Sequence, residues 1–298
     1  MKSRYIFNEI SKLKQPRLYA GGCDVKSGDV IGLHDHDFWE LVIVRNGLGW
    51  HLCEEEKFRI SAGNVFMVPL GLKHGYKSVD SLSIYNLLFY PEIFKSLDND
   101  LRAIPGFQML FHIEPKMQPG RRMRGNLRID EELLPEIVKY VNAMLSEQNK
   151  TAPGFQTALT AKFLALVLLI SRNCHVADDK YYHHASQISK VISYMEEHYS
   201  EELTLKSLAR LSGLSLCTFR RRFSEAADIS PIAYLLKLRL NKAALLLAGS
   251  SLSISETAFQ CGFSDSNHFS HQFRNFFGLA PSVYRSGQPG KLPEPLEN

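Results

Sequence analysis

Short hydrophobic runs separated by Gly and Asn turns occupy residues 17 to about 95. The runs at 40–44, 57–60, 65–68 and 83–90 are rich in β-branched and aromatic side chains, which favour strands. Short strands at this spacing are typical of an antiparallel sandwich or a small barrel. The pattern therefore predicts a β domain in the first third of the chain.

From residue 130 onward the hydrophobic period becomes that of a helix. Two apolar stripes follow at helical spacing, the first made of Leu133, Leu134, Ile137, Val138, Val141 and Leu145 and the second of Phe163, Leu166, Val167 and Ile170. We expect both helices to pack on the β domain.

A polar stretch over 173–184 separates these helices from several shorter ones that have clear caps. We therefore predict an α+β chain of two domains. The predicted parts are a β-rich domain with packing helices over 1–172, a linker over 173–186, a helical domain over 187–287 and a flexible tail over 288–298.

The composition is that of a globular protein, with 45% hydrophobic and 22% charged residues. The longest apolar run, 163–170, is too short for a bilayer span of about 20 residues, so we interpret it as a buried helix face. The N-terminus lacks the apolar core of a secretory signal, and the five cysteines are scattered without a C-x-x-C pair. These features predict a cytoplasmic protein without a membrane partner.

Positive charge is concentrated in the last third of the chain. Residues 203–285 carry ten basic and four acidic side chains, a local net charge of +6, whereas the whole chain has +4. A basic domain attached to a slightly acidic one indicates a polyanion as its partner.

The same third contains an internal repeat. Leu205, Ala209, Gly213 and Ser215 recur 49 residues later as Ile254, Ala258, Gly262 and Ser264, and Phe219, Phe223, Pro231 and Tyr234 recur 50 residues later as Phe269, Phe273, Pro281 and Tyr284. Each copy predicts a helix with a small Ala, a Gly turn, and a second helix that starts at a Ser cap, which is a helix-turn-helix. Between the copies, 231–248 predicts one helix of about 27 Å, long enough to place two recognition helices in adjacent major grooves.

This arrangement resembles the AraC family of bacterial transcription regulators. The resemblance rests on L-x-x-L-A-x-x-S-G-L-S at 205–215, F-R-R-R-F at 219–223, I-S-E-T-A-F-Q-C-G-F-S-D-S-N-H-F-S at 254–270 and A-P-S-V-Y-R ending at Arg285. It implies double-stranded DNA as the partner. Helix geometry then predicts the DNA-facing residues, which are Leu216, Cys217, Arg220 and Arg221 on the first recognition helix and Ser266, Asn267, His268, His271 and Arg274 on the second.

Glu256 and Asp265 are acidic residues within this basic domain. They are either ordinary helix-start charges or, as in activators that resemble this chain, contacts to RNA polymerase. Both interpretations remain open at this stage.

The N-terminal half contains a second motif, Gly28-x5-His34-x-His36-x3-Glu40-x6-Gly47, followed by Gly63-x5-Pro69-x-Gly71-x2-His74. These spacings resemble the cupin motifs, with Ser78 at a position where Asn is usual. Residues 34, 36 and 40 share parity, so on one strand they would face the same side of the sheet, and His74 would join them from a neighbouring strand. His34, His36, Glu40 and His74 could hold a divalent metal, or they could form a hydrogen-bond network around an effector.

We expect the effector site to comprise His34, His36, Glu40, Trp50, His74 and Tyr76, and we expect Trp39 to face outward. The whole chain looks most like the regulators of L-rhamnose catabolism, which bind the sugar and activate transcription as dimers. This resemblance implies a non-enzymatic activator that is a homodimer and is controlled by a small carbohydrate. Two alternatives stay open, a metal-dependent cupin enzyme fused to a DNA-binding module and a constitutive DNA-binding protein with a purely structural barrel.

Overall fold

The computed structural model describes residues 4–11, 18–53, 56–94, 98–116, 127–176 and 180–287. Its contacts divide the chain into two compact units, Met1–Ser189 and Lys190–Asn298. The first unit combines a sheet with helices and the second is helical, which confirms the predicted α+β class. The predicted tail over 288–298 lies outside the described residues.

The first unit is built on a seven-stranded sheet with the order β1-β3-β7-β4-β5, in which β2 also pairs with β7 and β6 with β4. All of these pairs are antiparallel except β1 with β3. The strands are β1 (Arg4–Tyr5), β2 (Leu18–Val25), β3 (Val30–His36), β4 (Trp39–Cys53), β5 (Glu56–Ser61), β6 (Val65–Val68) and β7 (His74–Phe89). The four predicted hydrophobic runs fall on β4, β5, β6 and β7, so the predicted antiparallel β domain is confirmed.

The ladder between β4 and β7 changes register between Val44 and Gly49. Gly47 lies in this irregular stretch with φ +85°, and a Cβ atom there would lie 2.3 Å from the carbonyl oxygen of Ser81. Only glycine fits such a conformation at so close an approach. The register shifts also change which residues of β4 face the inside of the sheet.

The first unit also contains helices. They are α1 (Phe7–Ser11), α2 (Asp98–Leu101), α3 (Pro105–Phe107), a π-helical segment (Gln108–Ile113), α4 (Leu134–Lys150) and α5 (Phe155–Asn173). Gln148 of α4 accepts a hydrogen bond from the Ala20 amide at 3.0 Å and donates one to the Ala20 carbonyl at 3.1 Å. Its side chain thereby satisfies both backbone polar groups of this residue of β2.

The second predicted stripe is confirmed, because Phe163, Leu166, Val167 and Ile170 of α5 are buried. On α4, Ile137 and Val141 are buried, whereas the remaining members of the first stripe are half-buried. By length and composition α5 is the one described helix that could cross a membrane. Its Phe163 ring lies 5.0 Å from that of Phe89 on β7, as in a core helix of a folded unit.

The remaining helices are α6 (Lys180–His198), α7 (Leu205–Ser212), α8 (Leu216–Ala227), α9 (Pro231–Gly249), α10 (Ile254–Gln260), α11 (Ser266–Phe277) and α12 (Pro281–Ser286). Residues 180–186 of the predicted linker belong to α6. The long helix between the repeats is confirmed as α9. It starts with Ser230 Oγ accepting a hydrogen bond from the Ala233 amide at 3.3 Å.

Candidate effector cavity and nucleic-acid interface

A cavity of about 300 Å³ lies inside the sheet of the first unit. Its polar lining comes from His34 and His36 of β3, Glu40 of β4, and Tyr76 and Asn86 of β7. Apolar side chains such as Ile31, Ile84 and Leu88 complete the wall. Apolar walls with a few convergent polar groups are typical of a small-molecule site.

His36, Glu40 and His74 form a buried cluster whose ligand-type atoms all lie within 4.8 Å of one another. Glu40 Oε2 is 3.3 Å from His36 Nε2 and 3.6 Å from His74 Nε2. The expectation that His34, His36 and Glu40 share one strand is wrong, because the chain bends at Asp37–Phe38 between β3 and β4. The bend is held where the Phe7 amide donates to Asp37 Oδ1 at 2.9 Å.

The bend also fixes the tautomer of His36. Its Nδ1 lies 2.7 Å from the carbonyl oxygen of Phe38, which can only accept, so Nδ1 carries a hydrogen and Nε2 is the ring nitrogen that faces the cluster. This Nε2 lies 3.3 Å from Glu40 Oε2, so the imidazole and the carboxyl group offer neighbouring ligand atoms. The cluster therefore suits either a ligand hydroxyl or a divalent first-row cation held by His36, Glu40 and His74.

The buried titratable groups around this cluster are held neutral. Burial, reinforced by the neighbouring imidazoles His51, His36 and His34, places the pKa of His74 well below its ordinary value. Burial and His34 lower the pKa of His51 to about 3. Burial, with the nearby Glu40 and Cys23, raises the pKa of the Tyr76 phenol well above its ordinary value, so Tyr76 remains a hydrogen-bond donor at neutral pH.

Several of these polar atoms are buried without a hydrogen-bond partner among the described residues. They are His36 Nε2, Glu40 Oε1, His74 Nε2, Tyr76 Oη, His51 Nδ1 and Asn86 Oδ1. A buried polar group that lacks a partner is costly, and each such group in a native protein needs an explanation. Four of these atoms, those of His36, Glu40, Tyr76 and Asn86, belong to residues of the cavity wall, where a polar ligand would supply the missing hydrogen bonds.

Of the six predicted effector residues, the structure brings His34, His36, Glu40 and Tyr76 to the cavity wall, and His74 lies against Glu40. His34 lies outside the three-residue cluster, where its Nδ1 donates to the Gly32 carbonyl at 3.0 Å. Trp50 does not line the cavity, and its ring lies 5.1 Å from Lys57 Nζ. Because the register of β4 shifts near Gly47, the inward position belongs to His51 instead.

Sequence reasoning missed His51 and Asn86. His51 is fully buried, and its Nε2 lies 3.3 Å from Nδ1 of His74. Asn86 occupies an inward position of β7 between Ile84 and Leu88. A polar residue between two apolar residues of the same parity was the available signal for Asn86, whereas the shifted parity of β4 concealed His51.

The first helix-turn-helix is formed by α7 and α8. Thr204 and Ser207 form a reciprocal capping box at the start of α7, and Ser215 caps α8 by accepting from the Thr218 amide. Phe219 and Phe223 are fully buried. The predicted DNA-facing residues Leu216, Cys217, Arg220 and Arg221 are all exposed.

The second helix-turn-helix is formed by α10 and α11. Its turn contains Gly262 at φ +81°, where a Cβ atom would lie 2.7 Å from the Ser200 carbonyl oxygen. The predicted Ser cap at 264 is wrong, because Asp265 is the residue whose side chain accepts the hydrogen bond from the His268 amide. The offset of the repeat changes from 49 to 50 residues between Ser264 and Phe269, so the one extra residue of the second copy lies at this cap. Asn267, His268, His271 and Arg274 are exposed and Ser266 is half-exposed.

Helix α9 joins the two units of the repeat and is attached to the end of α6. The Tyr234 hydroxyl donates to Glu196 Oε1 at 2.8 Å, and Lys242 Nζ lies 3.8 Å from Glu196 Oε2. Arg239 donates to the carbonyl oxygens of Tyr199 and Glu201 at 2.7 Å each. These contacts fix the helix that carries both recognition helices.

Glu256 and Asp265, the two acidic residues considered for a contact to RNA polymerase, both cap helices. Ser253 and Glu256 form a capping box at α10, in which Glu256 Oε2 accepts from the Ser253 amide at 2.7 Å. Hydrogen bonds from the Ser253 side chain and backbone lower the pKa of Glu256. The helix-start interpretation therefore accounts for both positions, Glu256 and Asp265.

Comparison with known proteins gives two family matches, a helix-turn-helix domain over residues 208–287 and an AraC-like ligand binding domain over residues 26–167. The HTH-type transcriptional activator RhaR of Mannheimia succiniciproducens is 33% identical over 254 residues, which are 85% of this chain and 87% of that protein. The HTH-type transcriptional activator RhaS of Escherichia coli is 30% identical over 259 residues, 87% of this chain and 89% of that protein.

Among solved structures, the DNA-binding domain of the global transcriptional factor AdpA in complex with a target DNA is 31% identical, with a TM-score of 0.33. The match covers 34% of this chain and 90% of that one. Together, the two matched domains and the near full-length relatives establish that the chain belongs to the AraC family of DNA-binding transcription regulators.

Proposed function

We propose that this AraC-family regulator is a cytoplasmic transcription activator whose affinity for its operator is controlled by a small carbohydrate, with L-rhamnose as the first candidate. The proposal rests on the polar atoms that line the effector cavity without a hydrogen-bond partner among the described residues. The resemblance of the whole chain to the regulators of L-rhamnose catabolism supports the choice of sugar. As a member of this family the chain is a regulator rather than an enzyme, which removes the alternative of a metal-dependent cupin enzyme.

A neutral sugar matches the hydrogen-bonding character of the cavity. Each hydroxyl donates one hydrogen bond and accepts others, so it can donate to His36 Nε2 or to the Glu40 carboxylate while it accepts from the Tyr76 phenol. Ile31, Ile84 and Leu88 provide apolar surface for the carbon face of the ring or for a methyl group. His34 and His74 complete the proposed effector contacts.

On DNA, the two recognition helices read adjacent major-groove segments. Arg220 and Arg221 of α8 contact guanine or phosphate, and Asn267 of α11 contacts adenine. Leu216, Cys217, Ser266, His268, His271 and Arg274 make up the rest of the proposed contact surface. The regulator acts as a homodimer through the 1–172 domain, and activation includes a contact to RNA polymerase for which Glu256 and Asp265 are the candidates.

Effector and DNA affect each other through a coupling free energy. The sugar shifts the protein between states only by its different affinity for them, so operator DNA must tighten sugar binding by the same factor by which the sugar tightens DNA binding. A constitutive DNA-binding protein with a structural barrel would have no such coupling.

The test is fluorescence anisotropy of a labelled duplex from upstream of the regulator's own gene, at a fixed salt of about 150 mM because phosphate contacts make the affinity salt-dependent. We expect L-rhamnose to tighten binding and Glu40→Ala to abolish this effect while the affinity without sugar stays unchanged. Exposed Glu56→Ala in the same domain is the matched control and leaves the response intact. If no neutral sugar tested changes the affinity for the duplex, the proposal is contradicted.

A divalent cation is the second candidate occupant, favoured by the convergence of His36, Glu40 and His74. Such a cation would act as a Lewis acid that binds sugar hydroxyls. Metal analysis of the purified protein, with His74→Ala and His36→Ala as variants that lose a ligand, tests it. Stoichiometric metal in the wild type that both variants lose would support the cation, and metal-free protein that still responds to the sugar would exclude it.

A further inference from the structure

A second cavity of about 520 Å³ lies on the other side of strand β4 from the effector cavity. Trp39 lines it, whereas the next residue, Glu40, lines the effector cavity, and the two cavities share no wall residue. Trp39 is paired with Phe89 at the ends of β4 and β7, and their rings lie 6.5 Å apart. The side chain of Trp39, which was predicted to face outward, thus lies in a pocket separate from the effector cavity.

The walls of this pocket are largely aromatic. Phe89, Phe94, Phe107 and Phe111 contribute rings, and the centroid distances are 5.6 Å for Phe89–Phe94, 5.1 Å for Phe94–Phe111 and 4.7 Å for Phe107–Phe111. At these separations the rings pack on one another and form one continuous aromatic wall, against which a flat apolar guest can lie. The volume falls in the range of small-molecule sites, roughly 300–1,000 Å³.

Polar groups at the pocket are mainly donors. Trp39 Nε1 is buried without a hydrogen-bond partner among the described residues, and an indole N–H can only donate. Arg102 and His112 add two further side chains with N–H groups, and both are half-buried. Glu92, the one carboxylate among the described wall residues, is exposed, so solvent screens its charge more than that of Arg102.

The local backbone supports a functional role for this wall. Phe111 and His112 belong to the π-helical segment Gln108–Ile113. Such segments are rare and occur frequently at functional sites, because the wider turn displaces side chains from their α-helical positions. Here the segment presents Phe111 and His112 to the pocket.

We propose that this pocket is a second small-molecule site, separate from the effector cavity, and that it takes an apolar monocarboxylate with a flat aromatic body. The aromatic body packs against the wall that Phe89, Phe94 and Phe111 form together. The carboxylate accepts from Trp39 Nε1–H and from the Arg102 guanidinium, which satisfies the buried indole donor. A neutral molecule of the same shape gains the packing but not the charge-assisted hydrogen bond.

The experiment uses 4-phenylbutyrate and its neutral isostere 4-phenylbutanamide as probes. The chain has two tryptophans, Trp39 and Trp50, so Trp50→Phe leaves Trp39 as the sole fluorescent reporter inside the pocket. We expect saturable quenching or shifting of the Trp39 emission, with the acid binding about tenfold more tightly than the amide, the ratio that one charge-assisted hydrogen bond gives. Isothermal titration of the unmodified chain gives the same ratio.

Two variants test the polar contacts. Arg102→Met should remove the preference for the acid, so that both probes bind alike, and Trp39→Phe, followed by calorimetry, should weaken the acid several-fold. Exposed Glu56→Ala, at a residue that lines neither cavity, is the matched control and should leave binding unchanged, and saturating L-rhamnose should not displace the acid. Equal binding of acid and amide to the wild type, no saturation by about 1 mM, or displacement by L-rhamnose overturns the proposal without bearing on the effector function.

Discussion

In the first helix-turn-helix the rings of Phe219 and Phe223 lie 5.6 Å apart, and in the second the rings of Phe269 and Phe273 lie 5.5 Å apart. The contact to the following tyrosine also repeats. Phe223 lies 5.6 Å from Tyr234 and Phe273 lies 5.2 Å from Tyr284. The two copies therefore pack their interiors in nearly the same way.

Their outward faces differ. Helix α8 presents Arg220 and Arg221, whereas α11 presents Asn267, His268 and His271. The caps differ as well, since α7 starts with a Thr–Ser box and α10 with a Ser–Glu box. Packing keeps the inner residues alike because a core tolerates little change in volume, whereas the outer residues are free to differ in the chemistry that they offer to DNA.

The largest expected effect tests the equivalence of the interiors. Phe223→Ala and Phe273→Ala each remove a fully buried ring, so each should lower the free energy of unfolding by about 3–5 kcal/mol. Urea denaturation of the full chain measures both. Phe259, which is 57% exposed, is the matched control, and Phe259→Ala should change stability by less than about 0.5 kcal/mol. If the free energy of unfolding lost at one buried position were several times that lost at the other, the two interiors would not be equivalent.

The next effect tests the difference between the outward faces. Arg221→Ala and Asn267→Ala should each cost about 1–3 kcal/mol of operator binding and relax specificity at one base pair. Lys206→Ala should instead weaken binding to all sequences alike and reduce the salt slope by about 1. Anisotropy titrations against operators with single base changes, repeated at several salt concentrations, separate these cases. Uniform losses from all three variants would mean that the recognition faces are misassigned.

The caps of the recognition helices offer a smaller effect. Ser215→Ala and Asp265→Ala should each cost about 1 kcal/mol of stability, because an amide at the helix start loses its acceptor. Asp265→Asn keeps the cap and removes the charge. Transcription with purified RNA polymerase should therefore fall for Asp265→Asn, at unchanged DNA affinity, if Asp265 contacts the polymerase. Unchanged transcription would leave capping as its only role.

The smallest effect concerns pH. The capping hydrogen bonds lower the pKa of Glu256, so their stabilisation is complete above the ordinary glutamate pKa and is lost as the pH falls through the lowered value. The corresponding residue of the first unit, Ser207, does not ionise. We therefore expect the stability difference between wild type and Glu256→Gln, which retains the box, to change only below about pH 4.5. A difference that stays constant down to pH 3 would contradict this assignment.

The sequence predicted much of the fold and part of the site. The repeat located Ser215, Gly213 and the buried phenylalanines because each of these roles depends on neighbours only a few residues away. It missed the Asp265 cap because an insertion in a turn leaves no hydrophobic signal. The cupin-like spacing brought His36, Glu40 and His74 into one group. It placed His36 and Glu40 on a single strand, whereas they lie on β3 and β4.

The effector cavity was harder to predict. Trp50 and His51 are adjacent, and parity alone favoured Trp50, but the register shifts near Gly47 turn His51 inward. No local pattern reports a shift that depends on how β4 meets β7. The aromatic pocket beside Trp39 was harder still to predict from the sequence, because its walls come from strand ends and a π-helical segment that are distant in sequence.

The sequence by itself determined the two-domain organisation, the repeated helix-turn-helix and the basic character of the DNA-binding half. These follow from periodicity, capping and charge, which act over short stretches of chain. Only the tertiary structure decided which polar atoms meet inside the barrel, which of them lack partners, and where a second cavity opens. Those features depend on strand register and on contacts between distant residues, because packing in three dimensions determines which side chains share a cavity.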